Sequence, residues 1–301
     1  MKANRKHWAF LFLIAMLISS SAHAAQQHGQ KTQLQNIEAG TVGVSVNPAD
    51  GSYTVFDPAG KKSILHARIA AEIDNQWVKS SDYPRHSTSR DSVNGAGTNL
   101  TVTNTGLAGH PDLICTVEGH NNPDFVTVAA IVRNTASTEI KVQAIRTIEA
   151  LGPTIVDLGG PQASDRVLSD SFSEDRPGIK IHDLADATNG MHRAVGSQLI
   201  YNRDSKRDLF LGTLSSDKFL TIIRLHVDKD HVGAYEVDSA GTTELEKENS
   251  LAHSSPEDQI ELTLPVAPGA ELSSEKLLIR YPKTSLFNTR TSDSFADETP
   301  H

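Results

Sequence analysis

"KFLTIIRLHVD", residues 218–228, alternates along its whole length. Phe219, Thr221, Ile223, Leu225 and Val227 fall on one side and Arg224, His226 and Asp228 on the other. A period of two suits an extended strand with one face buried. The residues that follow, Asp228-Lys229-Asp230, are turn formers, so the strand turns back on itself there. Outward from this stretch the same signature recurs. "TVGVSVNPADGSYTVFDPAGKK" (41–62) is a hairpin of two short β-rich runs around Asp50-Gly51, with a second turn signal at Asp57-Pro58-Ala59-Gly60. "DFVTVAAIVRN" (124–134) is apolar on both faces from Phe125 to Val132, as in a strand covered on both sides. "IKVQAIRTIEA" (140–150) places Ile140, Val142, Ala144, Ile148 and Ala150 on one face, interrupted by Arg146. No window carries a long amphipathic helical pattern. Many strands, turn signals at short intervals and no alternating helices predict an all-β fold, a large antiparallel β-sandwich.

At the amino end, Lys2, Arg5 and Lys6 precede an apolar run from Trp8 to Ile18, then Ser19-Ser20-Ser21 and Ala22-His23-Ala24. This order predicts a secretory signal peptide over residues 1–24, cleaved after Ala24, and a periplasmic or secreted protein. The apolar run is too short to span a bilayer. Cleavage removes three of the 28 basic residues and none of the 37 acidic ones, leaving a net charge of −12. Such a surface repels phosphate backbones and anionic lipid, so neither nucleic acid nor membrane is an expected partner. The single cysteine, Cys115, shares a strand face with Leu113 and Val117 and reads as a buried, inert thiol.

A linker over 25–32, a β-domain over 33–281 and a disordered tail over 282–301 complete the expected organisation. The tail is assigned from its loss of pattern after Tyr281, where Ser, Thr, Asp and Asn dominate. Before it, a Pro268-Gly269 turn leads into what reads as one exit strand bearing Leu272, Glu275 and Leu277 to Ile279. The segment from Gly152 to Met191 reads as the longest irregular stretch, and long loops on sandwiches are where function gathers.

Among chemical motifs, "HVDKDH" (226–231) groups two imidazoles with two carboxylates but reads as a solvated hairpin turn. Glu174, Asp175, Asp183 and Asp186 could supply a carboxylate pair for glycoside chemistry, yet nothing in the sequence fixes their separation. No G-x-S-x-G, H-E-x-x-H, phosphate-binding glycine loop or paired C-x-x-C occurs. No cofactor, metal or catalytic residue is assigned. Aromatics make up 5% of the chain and Trp77 is the only tryptophan beyond residue 24, which argues against a strong carbohydrate-binding module.

Several stretches, taken in order, resemble the N-terminal β-supersandwich domain of family 36 α-galactosidases, which is related in fold to galactose mutarotase. "SVNPADGSYTVFDPAGKK" is similar to its first hairpin, and "RVLSDSFSEDRP" (166–177) to its arginine-led strand before a loop that reaches toward the active site. "SQLIYNRDSKRDLFLGTLSSDKFLTIIRL" (197–225) is similar to its central strands and "PGAELSSEKLLI" (268–279) to its closing turn and strand. The resemblance implies carbohydrate contacts from Arg166, Asp170, Phe172, Glu174 and Asp175. Ser171-Phe172-Ser173 stands where the family carries a tryptophan-bearing run. In such enzymes a (β/α)8 barrel follows the sandwich and carries both catalytic aspartates, and no position here matches them. The resemblance therefore implies a non-catalytic, truncated or split form of an α-galactosidase-like hydrolase. Its expected partners are a galactoside or oligosaccharide and a separate catalytic barrel chain. Two other readings stay open: a free-standing carbohydrate-binding or protein-interaction domain, and a mutarotase-like epimerase. The last needs paired histidines and a glutamate in one pocket, which spacing does not assign.

Overall fold

Phe219, Thr221, Ile223 and Leu225 are buried and Arg224 and His226 partly exposed, as the sequence predicts, with outward Ile222 the one departure, since it is covered as well. The computed structural model describes residues 33–57, 59–93, 97–169, 180–240 and 263–282. The expected signal peptide and linker, and the tail from residue 283, lie outside them.

Twenty strands are described. In chain order they are β1 (Gln35–Ala39), β2 (Val42–Val46), β3 (Tyr53–Phe56), β4 (Lys62–Ile73), β5 (Gln76–Lys79), β6 (Arg85–Val93), β7 (Gly97–Thr105), β8 (Asp112–His120), β9 (Phe125–Arg133) and β10 (Ile140–Leu151). There follow β11 (Asp165–Ser169), β12 (Lys180–Asp183), β13 (Met191–Val195), β14 (Ser197–Asn202), β15 (Asp208–Thr213), β16 (Leu220–Asp228), β17 (His231–Ala240), β18 (Leu264–Val266), β19 (Glu271–Ser273) and β20 (Leu277–Arg280). The first sheet runs β1-β2-β3-β4-β10-β17-β16-β13, with β5 beside β4 and β18 beside β10. The second runs β12-β11-β14-β15-β20-β9-β8-β7-β6, with β19 beside β9. Every pairing between these strands is antiparallel. The two inner faces meet in one apolar core: Ile145, Ile148, Ile223 and Tyr235 come from the first sheet, and Val117, Val128, Leu211 and Ile279 from the second.

The hairpins follow local chemistry. Asp50-Gly51 turns β2 into β3, and Gly51 takes φ +67°, where a Cβ would also meet Asn104 Oδ1 at 2.7 Å. Leu113, Cys115 and Val117 are buried together on β8 as expected. In β9 burial is continuous from Val126 to Ala130, so even its outward Thr127 and Ala129 are covered.

Three expectations change. On β10, register shifts set Gln143 and Thr147 as extra residues against the neighbouring strands. Each bulge resets the alternation. Ile140 and Val142 face the core, Ala144 does not, and Ile145, Ile148 and Ala150 do. Ala144 instead joins Ile222 and Ala240 in a small cluster on the outer face. The segment 152–191 is not simply irregular, since it holds β11 and β12, whose polar sequences lack a clean period. The exit is two strands, β19 and β20, both paired with β9. Between them Glu275 is buried, accepting from the Lys218 and Phe219 amides at 2.8 and 2.9 Å and from the Ser215 hydroxyl. Its own amide donates to Ser239 Oγ on β17 at 2.9 Å, so this residue ties the second sheet to the first.

Candidate functional site

The bulge at Thr147 sets Arg146 on the outer face of the first sheet, away from the core. The registers bring acids to it: Asp238 is its direct partner on β17, and Glu149 pairs with Glu236 one row along. The guanidinium fork grips Asp238 with Nε–Oδ1 at 2.6 Å and Nη2–Oδ2 at 3.1 Å. Its Nη1 reaches Glu236 at 2.6 Å and Glu149 at 3.0 Å. Each acid has a second partner. Arg224 lies 2.5 Å from Asp238, Lys79 lies 3.0 Å from Glu149, and His226 Nε2 lies 3.0 Å from Glu236.

Burial pulls the Arg146 pKa down, but the hydrogen bonds and charge of Asp238, followed by Glu236 and Glu149, outweigh it and hold the group above its ordinary value. Arg146 is therefore a fixed cation. The Trp77 ring, on β5, lies with its centroid 4.2 Å from the Arg146 Cζ, a cation–π contact. Trp77 remains 37% exposed. The result is a braced indole on a polar face, flanked by Lys79 and Glu149. Such a platform offers an apolar ring with hydrogen-bonding groups around it, as pyranose recognition requires. The sequence reading saw Arg146 only as an interruption. The signal that could have found the network is the pair Glu236 and Asp238 alternating with buried Tyr235 and Val237.

Arg166, predicted as a contact, sits on the outer face of β11. Its Nε donates to Asp183 on β12 at 3.1 Å, and Arg203 approaches the same oxygen at 3.6 Å. Asp170, Phe172, Glu174 and Asp175 lie outside the described residues, in the connection from β11 to β12. The structure thus pairs Arg166 with Asp183 and does not bring it to Trp77, which belongs to the other sheet. "HVDKDH" is the hairpin turn from β16 to β17, with Lys229 at φ +60° and His226 engaged by Glu236. His182 and His192 face each other between the sheets at 6.1 Å, and His192 Nε2 lies 2.8 Å from the Leu184 carbonyl.

No protein-family model matches the sequence, and no curated protein matches it. In fold the chain is similar to solved glycoside hydrolases. One is the α-galactosidase from Lactobacillus brevis, with a TM-score of 0.54 and 9% identity over 84% of this chain and 40% of that one. Another is the α-N-acetylgalactosaminidase NagBb from Bifidobacterium bifidum, with a TM-score of 0.53 and 7% identity over 88% of this chain and 38% of that one. A third is the family 36 α-galactosidase AgaB from Geobacillus stearothermophilus, at 0.52 and 11% over 84% of this chain. The chain spans about 40% of the length of AgaB. At these identities the likeness is one of fold, and it bears out the resemblance to the family 36 β-supersandwich at that level.

Proposed function

We propose that this chain is an exported, non-catalytic supersandwich that serves a separate catalytic barrel of α-galactosidase type and holds galactosides weakly at Trp77. The observation that carries the reading is the indole braced on Arg146 and left open to solvent. The likeness of fold to family 36 enzymes supports the choice of sugar, and one such enzyme, AgaA from the same Geobacillus species, is solved with raffinose. A single aromatic platform gives a weak site, so binding is expected in the millimolar range, about −4 kcal/mol.

Trp77 fluorescence reports binding directly, because the only other tryptophan, Trp8, falls within the segment expected to be cleaved. Titration with raffinose should change the emission with a millimolar midpoint. By calorimetry the Trp77→Ala variant should bind no raffinose. A flat response of the wild type up to about 50 mM, well above a millimolar Kd, ends the sugar reading. Arg166, with Asp170, Phe172, Glu174 and Asp175, forms the second contact region of this proposal. Arg166→Ala should weaken binding further if both regions touch one oligosaccharide. Purified protein should not turn over an aryl α-galactoside, and turnover that survives rigorous purification overturns the non-catalytic half. Export is checked by intact mass: the exported protein should begin at Ala25, and a retained Met1 sinks it.

A further inference from the structure

The two sheets end on strands of unequal length. β1 and β13, at the ends of the first sheet, have five residues each, and β12, at one end of the second, has four. β6, at its other end, has nine, paired one for one with β7 from Arg85 to Val93 without a bulge. No described strand flanks β6 on its far side. Ser87, Ser89, Arg90 and Asp91 are exposed along it, and it holds neither Pro nor Lys. Shortness, bulges, Pro and Lys are common guards of a sheet edge, so β6 is a long, regular edge whose outward N–H and C=O groups are free to pair with another strand.

The side chains of β6 match a second β6. A two-fold axis through Thr88, perpendicular to the sheet, lays the strand antiparallel on its own copy and sets Arg85 opposite Asp91, His86 opposite Arg90 and Ser87 opposite Ser89, each twice. Arg85 and Asp91 share the outer face, since Thr88 and Arg90 between them register with buried Val102 and Leu100. Both are exposed, and neither forms an ion pair or a side-chain hydrogen bond among the described residues. On the other face His86 Nδ1 lies 2.7 Å from Asn104 Oδ1, and the Asn104 amide nitrogen donates to the Leu113 carbonyl at 2.8 Å, so Nδ1 carries the proton. In the neutral ring Nε2 is then an acceptor, on the far side of the ring from Asn104, and the Arg90 guanidinium of a second copy is its matching donor. Moving the axis to Ser87 or Ser89 sets Arg85 against Ser89 or Val93 instead and loses the charge match.

We infer that two copies of this chain join edge to edge through β6, antiparallel about Thr88, so that the second sheet continues from one copy into the other. Backbone hydrogen bonds from Arg85 to Asp91 supply the contact, and the reciprocal Arg85–Asp91 and His86–Arg90 pairs fix its register. An interface one strand wide falls below the roughly 800 Å² per partner of a standard stable contact, and the net charge of −9 adds self-repulsion. The dimer is therefore weak, with a Kd on the order of 100 µM.

Sedimentation equilibrium of the purified chain tests this without reference to sugar binding, and a monomer–dimer equilibrium is expected. Arg85→Asp and Asp91→Arg each set like charges against one another twice per dimer, so each should raise Kd about tenfold while thermal melts stay close to wild type. The double variant restores opposite charges at both positions and should return to the wild-type Kd. Cysteines read the register, because the native Cys115 is buried. Directly paired Cα atoms lie about 4.5–5.5 Å apart, within disulfide reach, so Thr88→Cys should cross-link to itself under mild oxidant. Ser87→Cys mixed with Ser89→Cys should cross-link faster than either variant alone. A wild-type chain that stays monomeric at about 1 mM, ten times that Kd, overturns the inference. So does a dimer that both single charge variants leave intact, or cross-linking at one rate for all three cysteine positions. If the charge variants fail to fold, the cysteine variants decide alone.

Discussion

Tyr53 on β3 donates its hydroxyl to the backbone carbonyl of Thr147 on β10, at 2.6 Å and across 94 residues of sequence. Thr147 is the extra residue of the second bulge, and a bulge frees backbone groups from the ladder. Both partners are buried, so water cannot replace the bond. Tyr53→Phe should lower stability by about 1–3 kcal/mol, the cost of a buried unmet acceptor. Tyr235 is the control, since its buried hydroxyl has no partner among the described residues. Tyr235→Phe should be neutral or stabilising. Urea denaturation of the two variants side by side checks the contrast, and equal losses would show that ring packing rather than the hydroxyl matters.

Arg146→Ala removes the common partner of Asp238, Glu236 and Glu149. Breaking a buried ion cluster costs about 3–5 kcal/mol, and the remaining cations Arg224 and Lys79 place this variant near the lower end. Arg146→Lys keeps the charge but cannot span the fork to Asp238, so it should recover only part of the loss. In both variants the emission of Trp77 should shift, because the ring loses the guanidinium stacked on it. Unchanged stability and emission would contradict the network as described.

Cys115 is buried, and burial pushes its thiol up to about 12. A protonated, inaccessible thiol should react with a disulfide reagent only as fast as the protein unfolds. Labelling rates that follow reagent concentration in the native protein would argue against this placement.

Stability against pH has opposing contributions. Burial raises Asp165 and Asp208 to about 6, only partly offset by the Asn202 hydrogen bond at the first and by a backbone hydrogen bond and the Arg280 charge at the second. A raised carboxyl contributes stability below its unfolded value, near 4, and loses it as pH climbs through 6. Burial lowers His192, and hydrogen bonds from Ser215, Lys218 and Phe219 overcome the burial of Glu275 and lower it too. Those two lose stability as pH falls, His192 below its ordinary value and Glu275 further down. Asp165→Asn isolates one side, since an amide oxygen can still accept from Asn202. It should stabilise the fold by about 2 kcal/mol at pH 7.5 and change little at pH 4. A variant that is less stable at pH 7.5 would show that the charge itself is needed.

The strands that pack the core were legible because burial on one face imposes a period of two, as residues 219–227 show. Cys115 was placed by the same logic. The strands β11 and β12 carry no such period, because apolar Leu168 and Ile181 face outward, Asp165 is buried and the runs are only five and four residues long, so β11 is reached only through the resemblance. The exit reads as one strand because no turn signal stands between Leu272 and Leu277, whereas the chain breaks there around Glu275, which four hydrogen bonds hold inside. The Arg146 network escaped because its partners on β17 lie about 90 positions away, and no local pattern encodes a register between distant strands. Of the predicted contacts, only Arg166 falls among the described residues.

The two bulges of β10 bear on how this chain is to be aligned with others. Between Gln143 and Thr147 the strand runs one step out of phase with the residues before it. Comparison with any relative that lacks one of these bulges needs a single-residue gap inside a central strand, where alignments ordinarily forbid gaps. Without that gap, Ile145 is scored against an outward residue and Arg146 against an inward one, and true kinship in the middle of the molecule is counted as mismatch.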